Sequence, residues 1–170
     1  REGKFDPSLF REDNILIFSS HRHSDHFDRR ILSWSSILSN ATYILSDDIR
    51  LNSNEISQLG DRLLQVHFSR RYTLPGDISI TTLHSTDEGV AFIVEADGCR
   101  IYHAGDLNWW HWEKESKHYN DSMAGQYRHE IDLISSLSMD LSFVPLDPRL
   151  GRFSHLGMEY FLKKVSSQMV

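Results

Sequence analysis

The 170-residue sequence holds one cysteine, Cys99, and four prolines. A single thiol cannot close an internal disulfide, and it excludes a metal site built from cysteines alone. A reducing, cytoplasmic setting is the corresponding expectation. No apolar run approaches the roughly 20 residues that a membrane-spanning helix needs. No secretory signal is visible at the front of the chain, so no membrane partner is expected. Positive charge is also scarce: 18 Lys and Arg stand against 24 Asp and Glu, a net charge of −6. Without a basic tail or stripe, a nucleic-acid partner is not expected. No long Pro/Gly/Ser linker interrupts the chain, and it reads as one domain over residues 1–170.

Hydrophobic residues make up 39% and charged residues 25%, the balance of an ordinary globular protein. The outlier is histidine, with ten copies, three of them between His21 and His26. Just before them, Asn14–Ser19 is a short apolar run that predicts a buried strand. Asp28 is placed to cap a following helix, with Ile31, Trp34 and Leu38 on one face. Further strands are predicted at Thr42–Leu45, Leu63–Phe68, Ile78–Leu83 and Leu141–Val144. Gly89–Glu95 and Cys99–His103 flank Ala96-Asp97-Gly98, and Asp-Gly between two such runs signals a hairpin. Ser122–Leu137 has a helical pattern. Met158, Phe161, Leu162 and Val165 mark a closing helix by their i, i+3, i+4, i+7 spacing. Strands interleaved with helices predict an α/β (α+β) protein with mixed sheets covered by helices.

Residues 21–26 read H-x-H-x-D-H. Alternate side chains of an extended segment point the same way, so His21 and His23 can reach one ion together. Asp25 and His26 lie where the chain leaves the strand and can face a second ion. Two-metal hydrolytic sites hold their ions about 3.5–4 Å apart. One such histidine would be unremarked on a surface loop. Four potential ligands at this spacing, directly after an apolar strand, point to metal binding.

H-x-H-x-D-H after a strand resembles the signature of the metallo-β-lactamase superfamily. The resemblance runs roughly from Asn14 to Val165 and extends to the order of later ligands. His84 follows the Ile78–Leu83 strand. Asp106 closes His103-Ala104-Gly105-Asp106. His155 follows Phe143–Leu146 and precedes the closing helix. The resemblance implies that His21, His23 and His84 hold a first metal, that Asp25, His26 and His155 hold a second, and that Asp106 bridges them. It implies an αββα sandwich. Only Arg1–Asp13 precede the motif strand, so the sandwich is expected to lack its N-terminal strands, and exposed sheet edges of that kind are compatible with an oligomer. The H-A-G-D ending is similar to the L-ascorbate-6-phosphate lactonase branch.

The implied activity is hydrolysis of an ester, lactone or phosphoester bond in a small molecule by a metal-activated hydroxide. Asp25 and Asp106 are the expected catalytic carboxylates. Two divalent ions are the implied cofactors, zinc first, with manganese or iron also suited to nitrogen and oxygen ligands. Trp109, Trp110, His111 and Trp112 follow the bridging aspartate and can either wall a substrate cleft or simply pack as large aromatics. Arg149 and Arg152 can hold an anionic substrate group or stand as solvated surface charge. Cys99 is expected to be a small core residue rather than a nucleophile. Two other functions fit the same ligands: a non-catalytic metal-bound scaffold or sensor, and a di-iron oxidoreductase.

Overall fold

The structure, a computed structural model, describes residues 5–170. The chain forms two compact units, residues 1–66 and 67–170. The first unit carries strands β1 (Ile15–Ser19), β2 (Ala41–Ser46) and β3 (Leu63–Val66), with helix α1 (Ser53–Leu59) between the last two. The strands form a wholly parallel sheet in the order β1-β2-β3. β2 is central and five of its six residues are buried, as expected for a parallel strand covered on both faces. Tyr43, Leu45, Ile49, Leu59 and Leu38 pack with Leu32 and Phe27 into this unit's core.

The predicted helix after Asp28 is a 3₁₀ segment, Arg29–Ser36. Asp28 caps it as expected, accepting a hydrogen bond from the Arg30 N–H. Helix α1 has no strong apolar stripe and went unpredicted. Its start is nonetheless encoded locally: the Asn52 side chain accepts from the N–H groups of Asn54 and Glu55, and Glu55 accepts from the Asn52 N–H.

The second unit contains β4 (Arg71–Leu74), β5 (Ile78–His84), β6 (Val90–Ala96), β7 (Cys99–His103), α2 (Lys117–Leu133), β8 (Ser138–Phe143), α3 (Leu156–Lys164) and β9 (Ser166–Met169). They build one six-stranded sheet in sequence order. The β4 to β7 pairings are antiparallel, while β7-β8 and β8-β9 are parallel. The predicted hairpin is present: Asp97 and Gly98 both adopt positive φ, 52° and 76°, the conformation its two-residue turn demands. That turn also corrects one expectation. Cys99 opens β7 immediately after it and is exposed, because the hairpin tip projects beyond the core.

The closing helix α3 presents Phe161, fully buried, whose ring stacks on Tyr102 of β7 at 5.1 Å. Helix α2 adds Tyr127 and Ile131 to the same cluster. It starts five residues earlier than its apolar pattern indicates, because Ser116 accepts from the Tyr119 N–H and caps it there. No helix among the described residues is long and apolar enough to cross a membrane.

Candidate metal centre

Residues 20–27 leave β1 at its carboxyl end, the edge of a parallel sheet where ligand sites gather. The segment is held by its own backbone. The N–H groups of His26 and Phe27 both donate to the His23 carbonyl, at 2.9 and 2.8 Å. The Ser19 hydroxyl donates to the His26 carbonyl at 2.9 Å, and the Arg22 N–H donates to Asp48 Oδ2 at 3.0 Å.

This turn gathers three imidazoles. His21 is fully buried, and its Nε2 lies 2.9 Å from His23 Nδ1. The rings of His21 and His26 are 4.1 Å apart, with ligand nitrogens within 4.8 Å of each other. The Ser20 hydroxyl bridges Nδ1 of His21 and Nδ1 of His26, at 3.1 and 3.3 Å. Asp25 is four-fifths exposed, and its carboxylate lies 3.8 Å from His26 Nε2. The cluster fits a transition metal. Two nitrogens bound about 2.0–2.1 Å from one tetrahedral ion lie roughly 3.3 Å apart, close to the His21–His23 spacing. Neutral imidazoles are also the chemical form that coordinates such ions.

In the second unit, β7 runs out through Ala104 into a sharp turn. The Ala104 N–H still donates to the Phe143 carbonyl at 3.0 Å, and Leu107 N–H closes back onto the Ala104 carbonyl at 3.0 Å. Gly105 supplies the positive φ of 54° that this turn requires. Asp106 sits at its apex, where its carbonyl accepts from Trp110 Nε1 at 3.1 Å.

A pocket of about 190 Å³ opens here, lined by Thr86, Asp87, Asp106, Trp110, Trp112, Tyr119 and Arg149. The planes of Trp110 and Trp112 are parallel within 3° at 6.1 Å. Trp110 and Arg149 therefore line the pocket beside Asp106, whereas the His111 ring packs on Phe153 at 3.9 Å. Arg149 engages Asp147 through Nε and Nη2, which holds the Asp147 carboxyl below the usual carboxylate range. Arg152 pairs with Glu113 at 2.9 Å.

The other two expected ligands of this unit sit differently. His84 ends β5 exposed, its ring against Phe68 at 4.3 Å and its backbone N–H donating to Glu130 Oε2 at 3.1 Å. His155 is half exposed at the start of α3, its Nε2 3.9 Å from Glu159. Trp112 lines the pocket beside Trp110, and so do Tyr119 and Asp87, to which the sequence reading gives no role. The signal for Asp87 was an acidic side chain three residues beyond His84.

The loop between β5 and β6 is tied to the Asp106 segment through Thr86. Its hydroxyl accepts from the Asn108 N–H at 3.0 Å and lies 2.7 Å from the Asn108 carbonyl. Replacing Thr86 by valine keeps the shape and removes both bonds. Thermal denaturation is expected to show a loss of about 1–3 kcal/mol, the cost of leaving the buried Asn108 groups unsatisfied. An unchanged melting temperature would show that Thr86 does not brace the turn.

No protein-family model matches the sequence, and no curated protein matches it. Solved structures do. A protein from Parabacteroides distasonis named as a metal-dependent hydrolase superposes with a TM-score of 0.50 at 18% identity, over 84% of this chain and 57% of its own. The chain thus spans a little over half of that protein's length. Zinc-bound PqqB from Methylobacterium extorquens gives 0.48 at 12% identity, over 92% of this chain and 58% of its own. The metallo-β-lactamase fold protein YhfI from Bacillus subtilis gives 0.44 at 10% identity, over 91% and 73%. With H-x-H-x-D-H at the carboxyl end of β1 and Ala-Gly-Asp directly after β7, the chain shares its fold with the Parabacteroides distasonis metal-dependent hydrolase.

Proposed function

We propose that this protein is a metal-dependent hydrolase acting on an ester, lactone or phosphoester bond of a small, anionic molecule. The observation that carries the reading is the packing of His21, His23 and His26 at the carboxyl end of β1, with His21 fully buried. Three imidazoles gathered on one hydrogen-bonded turn, one of them fully buried, are a costly arrangement and a donor set for zinc, manganese or iron.

In this reading His21, His23, Asp25 and His26 are the metal ligands of the motif, and the resemblance adds His84 and Asp106 as later ligands. The last-histidine role follows the resemblance to His155. Two bound ions would lower the pKa of a shared water to near neutrality and polarise the oxygen of the scissile group. Asp25, largely exposed, is the carboxylate placed to take that water's proton. Ser20 orients two of the imidazoles by sharing its hydroxyl with both Nδ1 atoms, which leaves Nε2 of His21 and His26 for the ions. Trp110 and Trp112 exclude water from one side of the Asp106 pocket.

The test is metal analysis coupled to turnover. The purified protein is expected to carry about two equivalents of divalent metal. Exhaustive chelation should abolish hydrolysis across ester, lactone and phosphodiester panels, and zinc or manganese should restore it. Full activity in metal-free protein would overturn the mechanism. Bound metal without turnover on any panel would favour the scaffold or sensor function, and visible absorption from iron would favour the di-iron oxidoreductase.

A further inference from the structure

We propose that the first unit carries a pocket for an organic phosphate monoester, walled by Arg22, Arg29 and Arg50. The inference goes beyond the metal-dependent reading and does not require a metal ion.

The pocket is lined only by residues of the first unit and has a volume of about 440 Å³. That size suits a small organic molecule. Its charge runs against that of the chain. Acidic residues outnumber basic ones by 24 to 18 overall, yet three of the seven residues around this cavity are arginines, all exposed. The one acid of the lining, Asp48, is committed to the wall. Its Oδ2 accepts from the Arg22 backbone N–H at 3.0 Å, and its Oδ1 is buried. A ligand at the rim therefore meets guanidinium ions and the exposed Ser24 hydroxyl.

The guanidinium groups keep donors for an anion. Arg29 gives Nη1 to Glu55 and Nη2 to the Arg50 carbonyl, the latter at 2.7 Å. Those bonds fix the side chain and use two of its five N–H donors. The Arg50 guanidinium makes no hydrogen bond or ion pair among the described residues. Arg149 and Arg152 of the second unit, by contrast, each face a carboxylate, of Asp147 and Glu113. Guanidinium forks match the oxygens of a phosphate, and several cations around one cavity favour a dianion over a single carboxylate.

The floor is apolar. Phe27 and Ile49 are buried there, and the Arg29 guanidinium lies 5.9 Å from the centre of the Phe27 ring. Inorganic phosphate would use only the rim, whereas the carbon body of a monoester can also cover the floor. Arg22 and Ser24 alternate in sequence with His21 and His23, and no imidazole lines the pocket. The bound phosphate is thus held by the turn that carries the histidines, without being their ligand. It belongs either to the far end of a substrate or to a separate effector.

The experiment titrates the full chain with phenyl phosphate, and separately with inorganic phosphate, by calorimetry. Metal is first removed by chelation so that phosphate cannot bind to an ion. The wild-type chain is expected to bind phenyl phosphate at least tenfold more tightly than inorganic phosphate. Arg50→Gln should weaken phenyl phosphate at least fivefold, and Arg50→Glu should abolish its binding. Both keep the backbone carbonyl that Arg29 uses. Arg30→Gln, at an exposed arginine outside the lining, should leave the affinity unchanged. Turnover by metal-loaded protein then identifies the source of the group. For a substrate, Arg50→Gln raises KM severalfold for a phosphorylated ester and not for an uncharged one. For an effector, phenyl phosphate alters turnover of the uncharged ester, and Arg50→Gln cancels that change. No binding to the wild-type chain, equal affinity for the two phosphates, or equal losses in Arg50→Gln and Arg30→Gln would each overturn the proposal. Binding to the chelated chain that Arg50→Glu removes would uphold it even in a protein that hydrolyses nothing.

Discussion

Replacing Asp106 by asparagine is expected to abolish hydrolysis, by about a thousandfold or more, and to deplete the bound metal. Asparagine is nearly isosteric, so the turn should survive. Trp110 Nε1 bonds to the residue-106 backbone carbonyl, which the substitution keeps. The Ala104–Leu107 closure is likewise backbone to backbone. What disappears is a negative charge. In the proposed centre that charge offsets part of the charge of the cations, and a neutral amide oxygen is a far weaker ligand for them. A bound metal would supply activation of the attacking water, so its loss is expected to cost more than any substitution in the pocket wall. Circular dichroism and metal content, measured beside turnover, check the prediction. An Asp106→Asn protein with full metal and wild-type turnover would remove Asp106 from the centre.

The second large effect is expected at Gly157, near the start of α3. A Cβ there would stand 2.2 Å from Asn108 Oδ1 and 3.3 Å from the Trp109 N–H nitrogen. Asn108 cannot simply swing away. It is almost fully buried, and its Oδ1 accepts from the Trp109 N–H at 2.8 Å. Nor can α3 easily retreat, because the Gly157 carbonyl accepts from the buried Tyr127 hydroxyl at 2.7 Å. Gly157→Ala therefore overpacks a site closed on both sides, at a cost of about 1–3 kcal/mol. For a chain of this length that lowers the melting temperature by about 2–4 °C per kcal/mol. The strain falls on Asn108 and Trp109, directly after Asp106, so metal affinity should drop along with stability. A stable Gly157→Ala protein with unaltered metal affinity would show that the Asp106 turn does not depend on α3.

Much of this was legible in the sequence for local reasons. Strands β1, β2 and β5 to β7 are short apolar runs with clear boundaries. The Asp97-Gly98 turn needs positive φ at both positions, which narrows the residue choice to a recognisable pair. Other elements were not legible. β9 reads Ser-Ser-Gln-Met, with no apolar alternation, and is a strand because β8 offers it a parallel edge. β4, Arg-Tyr-Thr-Leu, is likewise defined by its pairing with β5. Intrinsic strand preference is weak beside such neighbours.

The site divides along the same line. The cluster of imidazoles at His21–His26 was determined by the sequence alone, because side chains two to five residues apart meet through one turn and its own backbone bonds. Which side chain after β5 stands beside Asp106 was decided only by tertiary structure. Sequence order names His84 as the histidine after β5, but it does not give the neighbours of its side chain. The bond from Thr86 to Asn108 joins residues 22 apart and holds Asp87 at the pocket beside Asp106, while the His84 ring lies on Phe68. A histidine's identity is written in the chain, but its direction is set by hydrogen bonds between distant segments, which sequence order does not contain.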